Sequence, residues 1–198
     1  MSFLTPTCIG KSILFAVFLC QGMVAGAHAA NCQVQVSETT LDYGSLTRSA
    51  IMAKPAGADR ASLGDRQMTL NVLCQEPTAI ALMIRGPADQ ESFRFGEHGR
   101  FAVRLSDAML DGRPVSLGVM QAATKIAPEE NASVKVRPGS VVFPFTAERG
   151  MKAKSLSLQV HIEPVVSAAA TRVRERTTWQ GSAVFSVVER TRYDGNAR

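Results

Sequence analysis

Histidines and carboxylates are the residues of this chain that could carry acid–base catalysis or hold a metal, and their spacing favours neither. After residue 30 the chain has two histidines, His98 in a turn-like stretch beside Glu97 and His161 on the polar side of an alternating run. A zinc site needs three or four ligands that can face one ion. We therefore expect no metal, no cofactor and no enzymatic activity. Carboxylates in loop-like stretches also lack a catalytic partner; they are Asp89, Glu91, Glu129 and Glu130.

Residues 1–29 have the layout of a secretory signal peptide. Lys11 precedes an apolar run of about fifteen residues, and Ala27 and Ala29 form a small-residue cleavage pattern. Cleavage there would place the mature chain outside the cytoplasm. One alternative is an uncleaved anchor, for which the run is shorter than the roughly twenty residues of a spanning helix. The other is a lipid-modified Cys20, which the bulky residue before it disfavours.

The cysteines predict one disulfide. Cys8 and Cys20 lie within the predicted signal, so Cys32 and Cys74 remain as an even pair in an oxidising compartment. Each lies on the apolar side of its alternating run, which places a bond between them within or beside the core. The closed loop has 43 residues, counting both cysteines. A loop of this length contributes on the order of 4 kcal/mol to stability.

Composition predicts one mildly basic domain over residues 30–198. The formal charge of the full chain is +5, and cleavage would remove Lys11 and no acidic residue, leaving +4. Nucleic-acid-binding proteins usually cluster their basic residues on one face or interleave them with aromatics. The densest basic run, residues 172–176, also contains Glu175, so we interpret it as a solvated loop or strand edge. No nucleic-acid partner is expected.

Apolar and polar residues alternate with a period of two in several runs, which is typical of half-buried strands. Residues 79–85 are apolar on both faces and predict a central strand. The pair Asp111-Gly112 is the strongest hairpin signal. We interpret residues 47–66 as a long connection and residues 118–126 as a possible helical turn or two. The pattern predicts an all-β sandwich, with alternating runs at 32–37, 67–74, 156–162 and 182–187.

Four short segments follow the early Cys32 in a recognisable order. They are Leu41–Gly44 (LDYG), Thr69–Cys74 (TLNVLC), Cys74–Thr78 (CQEPT) and Lys135–Gly139 (KVRPG). In this order they resemble bacterial fimbrial (pilus) subunits of the chaperone–usher pathway, and most closely the fimbrial-like branch labelled as a domain of unknown function. The likeness extends over essentially the whole mature chain.

The resemblance implies an immunoglobulin-like (pilin-type) sandwich that lacks one strand, which a partner supplies. A periplasmic chaperone would fill the resulting groove first, and a neighbouring fimbrial subunit would replace it at the outer-membrane usher. The chain would pass through the periplasm and reach the cell surface in a fimbrium. No membrane span is expected after signal cleavage.

The resemblance also assigns the groove-lining residues to the last strand. Such subunits tend to end in a strand with a glycine twelve residues before a near-terminal tyrosine, and Gly181 and Tyr193 have this spacing. The inward positions between them begin with Ala183, Phe185 and Val187. The next two inward positions are polar and break the alternation. An ordinary terminal strand ending near residue 188 therefore remains the alternative.

The expected function is that of a structural subunit that contributes to cell adhesion, with the fibre tip as one candidate position. Shaft subunits carry a donor strand before their first cysteine, but the predicted cleavage leaves two residues before Cys32. We therefore expect this chain to accept a strand and not to donate one.

The alternative function is a single-domain carbohydrate-binding adhesin, or another secreted β-sandwich binding protein outside a fibre. Trp179 is the only tryptophan and the natural aromatic for a sugar site, but the sequence favours its beginning the last strand. In either case a host or surface receptor would be a further partner.

Overall fold

The computed structural model describes residues 31–54, 56–57, 59–121, 131–145 and 151–189. The predicted signal peptide, Glu129, Glu130 and Tyr193 lie outside these residues. The described part contains one short helix, α1 (Arg48–Met52), and a 3-10 turn at Ala169–Thr171. Its strands are β1 (Cys32–Val36), β2 (Arg60–Ser62), β3 (Arg66–Thr78), β4 (Ile80–Arg85), β5 (Ala88–Asp89), β6 (Ser92–Phe95), β7 (Gly99–Leu110), β8 (Arg113–Pro114), β9 (Ser116–Gln121), β10 (Ser133–Val136), β11 (Ser140–Phe145), β12 (Ala153–Ser167) and β13 (Val184–Glu189).

These strands form two antiparallel sheets. The first has the order β1-β3-β12-β7-β6-β5, with β2 paired to β12 and both β8 and β10 paired to β7. The second has the order β13-β4-β11-β9. The predicted all-β sandwich is confirmed, and the two-sheet arrangement fits an immunoglobulin-like fold. Both sheets contribute to one core, whose largest fully buried side chains include Leu70, Leu105, Leu156 and Leu158 from the first sheet and Leu82, Ile84 and Leu117 from the second.

The segment that is apolar on both faces is a central strand, as predicted. β4 lies between β13 and β11. Leu82 and Ile84 are fully buried in the main core. Ala81 points to the opposite face of the sheet, where it packs with Val141 and Phe143 in a second cluster. Because side chains alternate across a strand, burial on both faces explains why this run is apolar as far as Ile84, before the exposed Arg85 at its end.

The predicted hairpin at Asp111-Gly112 is also confirmed. Leu110 pairs with Arg113, and the two residues between them have positive φ values of 47° for Asp111 and 76° for Gly112. Positive φ at both central residues defines the type I′ turn, whose twist matches that of the strands. The Asp111 carboxylate also accepts hydrogen bonds from the backbone N–H groups of Lys154 (3.1 Å) and Ser155 (2.8 Å). This anchors the hairpin to β12.

The interpretation of residues 47–66 as a long connection was incomplete, because the segment contains a short helix and a short strand. The segment forms α1, capped by the Thr47 side chain, which accepts a hydrogen bond from the Ala50 N–H (3.3 Å). It then forms β2, in which Ala61 pairs with Val166 of β12. A helix of five residues has too few turns to produce a periodic pattern, so its formation depends on tertiary packing.

The helical interpretation of residues 118–126 was wrong for residues 118–121, which form part of a strand. Residues 116–121 form β9, and residues 122–130 lie outside the described ranges. β9 pairs along its whole length with β11. Gly118 permits close packing there, since a Cβ at this position would lie 2.6 Å from a ring carbon of Phe143. Pairing with a distant strand therefore overrode the weak local helical preference.

Residues of the 47–66 connection form a small second core with the end of β12. It is built from Ile51, Ala61, Leu63 and Val166, with Tyr43 and Trp179 packed against it. The Tyr43 hydroxyl is buried and has no hydrogen-bond partner among the described residues. The guanidinium of Arg66 lies 5.5 Å from the centre of the Tyr43 ring. Burial raises the pKa of Tyr43 to about 12, although the positive charge of Arg66 opposes this shift.

This raised pKa predicts a loss of stability at alkaline pH. The unfolded chain releases the Tyr43 proton near pH 10, while the folded chain retains it until about pH 12. The stability that comes from the neutral phenol is thus complete below pH 10 and is lost as the pH rises towards 12. Urea midpoints at about pH 8 and about pH 11 should differ more for the wild type than for Tyr43→Phe. At the lower pH we expect Tyr43→Phe to be at least as stable as the wild type, because it removes an unsatisfied hydroxyl. Equal alkaline losses in both proteins would contradict this assignment.

Candidate functional site: an open sheet edge

Within the described part of the chain, the last strand, β13, pairs with another strand on one side only. β13 pairs with β4 on one side, with Phe185 opposite Ile84 and Val187 opposite Leu82. No strand among the described residues pairs with its other side. An unpaired edge leaves backbone N–H and C=O groups available to another extended chain.

The first strand of the chain lies beside this free side. β1 is the terminal strand of the first sheet, and its only pairing in the described part is with β3. Cα atoms of β1 and β13 approach within 8 Å of each other, yet the two strands belong to different sheets. The described strands therefore do not close the sandwich by hydrogen bonds along this side.

Apolar side chains that belong to the core remain half-buried here. Phe185 and Val187 of β13, and Ala183 just before it, pack against the main core, whereas Val184 points outward and is 61% exposed. By contrast, the neighbouring Leu82 is fully buried. We call the free side of β13, with these three inward residues and the half-buried Cys32, Val34 and Val36 of β1, the open edge.

The disulfide holds β1, which forms one side of the open edge, on its neighbouring strand β3. Cys32 and Cys74 are bonded, as predicted, and they are directly opposite each other in the β1–β3 pairing, with Cα atoms 4.0 Å apart. Asn31 adds hydrogen bonds to β3: its side-chain oxygen accepts from the Glu76 N–H (2.9 Å), and its backbone oxygen accepts from the Gln75 N–H (2.9 Å). β1 is thus held on β3, and no described strand pairs with its other side.

Gly181 lies outside the open edge, although the resemblance to fimbrial subunits implied that it belongs to the last strand. β13 begins at Val184. The Gln180 carbonyl accepts a hydrogen bond from the Gly96 N–H (2.7 Å), which holds the preceding segment against the turn between β6 and β7 in the first sheet. A Cβ at Gly181 would lie 2.6 Å from a ring carbon of Phe101, so glycine is needed for this close approach. Trp179 likewise precedes the strand instead of beginning it.

The contribution of β1 to the open edge was not predicted from the sequence. Val34 and Val36 share the inward parity of Cys32, and this alternation is visible in the sequence. Their position beside β13 is not visible there. Of the last-strand residues predicted to line the groove, Ala183, Phe185 and Val187 belong to the open edge, while Tyr193 lies outside the described ranges.

The titratable residues are dispersed. Nε2 of His98 lies 3.9 Å from the Glu97 carboxylate in an exposed turn, and Nε2 of His161 lies 2.9 Å from the Ser106 hydroxyl within the first sheet. Glu91 forms an ion pair with Arg137 (2.7 Å). Where the structure describes the chain, no three His, Cys, Asp or Glu residues are placed to hold a metal ion, and no helix is long and apolar enough to cross a membrane.

No protein-family model matches the chain, and no curated protein is significantly similar to it in sequence.

Proposed function

We propose that the chain is a fimbrial or fimbrial-like subunit that accepts a strand from a partner at the open edge. The observation that carries the proposal is that no described strand pairs with one side of β13, which lies next to a row of half-buried core side chains. The resemblance to chaperone–usher subunits is consistent with this geometry, because a missing strand in such a sandwich would leave the same two features.

Strand addition would complete two kinds of interaction at once. In a strand, alternate residues point both backbone groups to one side, so about half of the six residues of β13 can bond to an added strand. Each such bond contributes a net of about 1 kcal/mol. Alternate side chains of the added strand would also cover Phe185 and Val187, which removes apolar surface from water.

The partners follow from this mechanism. An exposed edge with uncovered core residues is prone to aggregation, so a periplasmic chaperone would supply the first strand. The outer-membrane usher would then exchange it for the strand of a neighbouring subunit. The protein would reside in the periplasm in transit and at the cell surface in the fibre, where it would contribute to adhesion.

Co-purification tests the proposal directly. The tagged chain would be expressed in the periplasm of the bacterium that encodes it, and bound proteins would be identified by mass spectrometry. We expect a one-to-one complex with a chaperone of two immunoglobulin-like domains. Isolation of the chain as a stable monomer, with no chaperone or fibre subunit bound, would overturn the proposal.

A further inference from the structure

A cleft at one end of the sandwich is separate from the open edge. It lies where the turn between β6 and β7, the end of β12 and the segment before β13 come together, and its volume is about 520 Å³. Glu97, His98, Thr177, Thr178 and Trp179 are among the residues that line it. Clefts of roughly 300–1,000 Å³ are usual for small-molecule sites.

Trp179 is held in a defined position in this cleft. Gly96 has a positive φ of 62°, and a Cβ there would lie 2.8 Å from Cδ1 of the indole, so a larger residue would displace the ring. The indole also packs against the small second core that contains Val166. The side chain is only half-buried, and the rest of it lines the cleft. A fixed, partly exposed indole can serve as a stacking surface.

Polar side chains line the same cleft. The Glu97 side chain is 87% exposed and offers carboxylate oxygens as acceptors. The His98 ring is 62% exposed, and the hydroxyls of Thr177 and Thr178 can both donate and accept. A sugar ring has the matching chemistry, since it presents an apolar C–H face for stacking and a rim of hydroxyls for hydrogen bonds. The negative charge of Glu97 favours a neutral sugar over an acidic one.

We propose that this cleft binds a neutral saccharide, with Trp179 stacking on the ring and Glu97 and Thr177 accepting and donating hydrogen bonds at its rim. The site goes beyond strand acceptance, because no residue of the open edge lines it. A protein with both sites would be held in a fibre through one and attach to a glycan through the other.

Intrinsic fluorescence tests the proposal, because Trp179 is the only tryptophan in the chain. The mature protein would be titrated with the methyl glycosides of mannose, galactose, glucose and N-acetylglucosamine, and in parallel applied to an array of neutral and acidic glycans. We expect a saturable change in emission with at least one neutral sugar. Glu97→Gln and Thr177→Val should each weaken that binding by about tenfold.

Glu76→Gln is the matched control. Glu76 is exposed and lies near Thr78, which pairs with Ala153 at the opposite end of β12 from the cleft. It should leave sugar binding unchanged. The proposal would be overturned if none of the four glycosides changed the Trp179 emission and the array showed no binding to neutral glycans. Binding to acidic glycans alone, or equal effects of Glu97→Gln and Glu76→Gln, would also overturn it.

Discussion

Replacement of Cys32 and Cys74 together by alanine is expected to lower the free energy of unfolding by about 4 kcal/mol. The disulfide closes a 43-residue loop, with a sequence separation of 42, and thereby restricts the unfolded chain. Small domains have a total stability of about 5–15 kcal/mol, so the variant would lose much of its margin. Urea unfolding of the two proteins, followed by circular dichroism, measures the difference.

Chemical reduction of the wild type provides the control, because it opens the same bond without changing a side chain. Reduced wild type and the double variant should have similar urea midpoints, both well below that of the oxidised protein. If the double variant unfolded within about 1 kcal/mol of the oxidised wild type, the loop-closure account would be wrong. A similar loss in the double variant without a loss on reduction would assign the effect to packing of Cys74 in the core instead.

Phe185→Asp is expected to abolish strand acceptance while Val184→Asp leaves it intact. Phe185 points into the core from the open edge, so an added strand would bury the new carboxylate without a partner. A buried, unpaired charge costs about 3 kcal/mol or more, which is on the order of a hundredfold in affinity. Val184 lies on the same strand but faces outward and is 61% exposed, so a carboxylate there stays in water.

A synthetic strand can measure this difference. A peptide of about ten residues with valine and threonine in alternation can follow the length of β13 and present apolar side chains to the core. It should raise the melting temperature of the wild type and of Val184→Asp, because a ligand that binds only the folded state stabilises it. The peptide should not raise the melting temperature of Phe185→Asp. Equal stabilisation of both variants would rule out Phe185 as part of the acceptor.

Local patterns in the sequence predicted much of the fold correctly. The two-faced apolar run of β4, the turn at Asp111-Gly112 and the Cys32–Cys74 bond all depend on neighbouring residues or on a simple count of cysteines. The inward parity of Phe185 and Val187 was readable for the same reason, since alternation is a property of one strand alone.

The sequence by itself thus determined the strands β1, β3, β4, β12 and β13, the faces that they bury and which cysteines pair. It did not determine β9, where the local pattern favoured a helical turn. Only the tertiary structure decided that β13 pairs with β4, about one hundred residues earlier, and leaves its other side open next to β1. Only the tertiary structure decided the position of Trp179 as well. The hydrogen bond between the Gly96 N–H and the Gln180 carbonyl holds this segment ahead of β13, and Trp179 lines the cleft there. Alternation specifies which side of a strand is apolar, but it carries no information on which distant strand lies alongside. Pairing between remote segments is set by how the whole core packs.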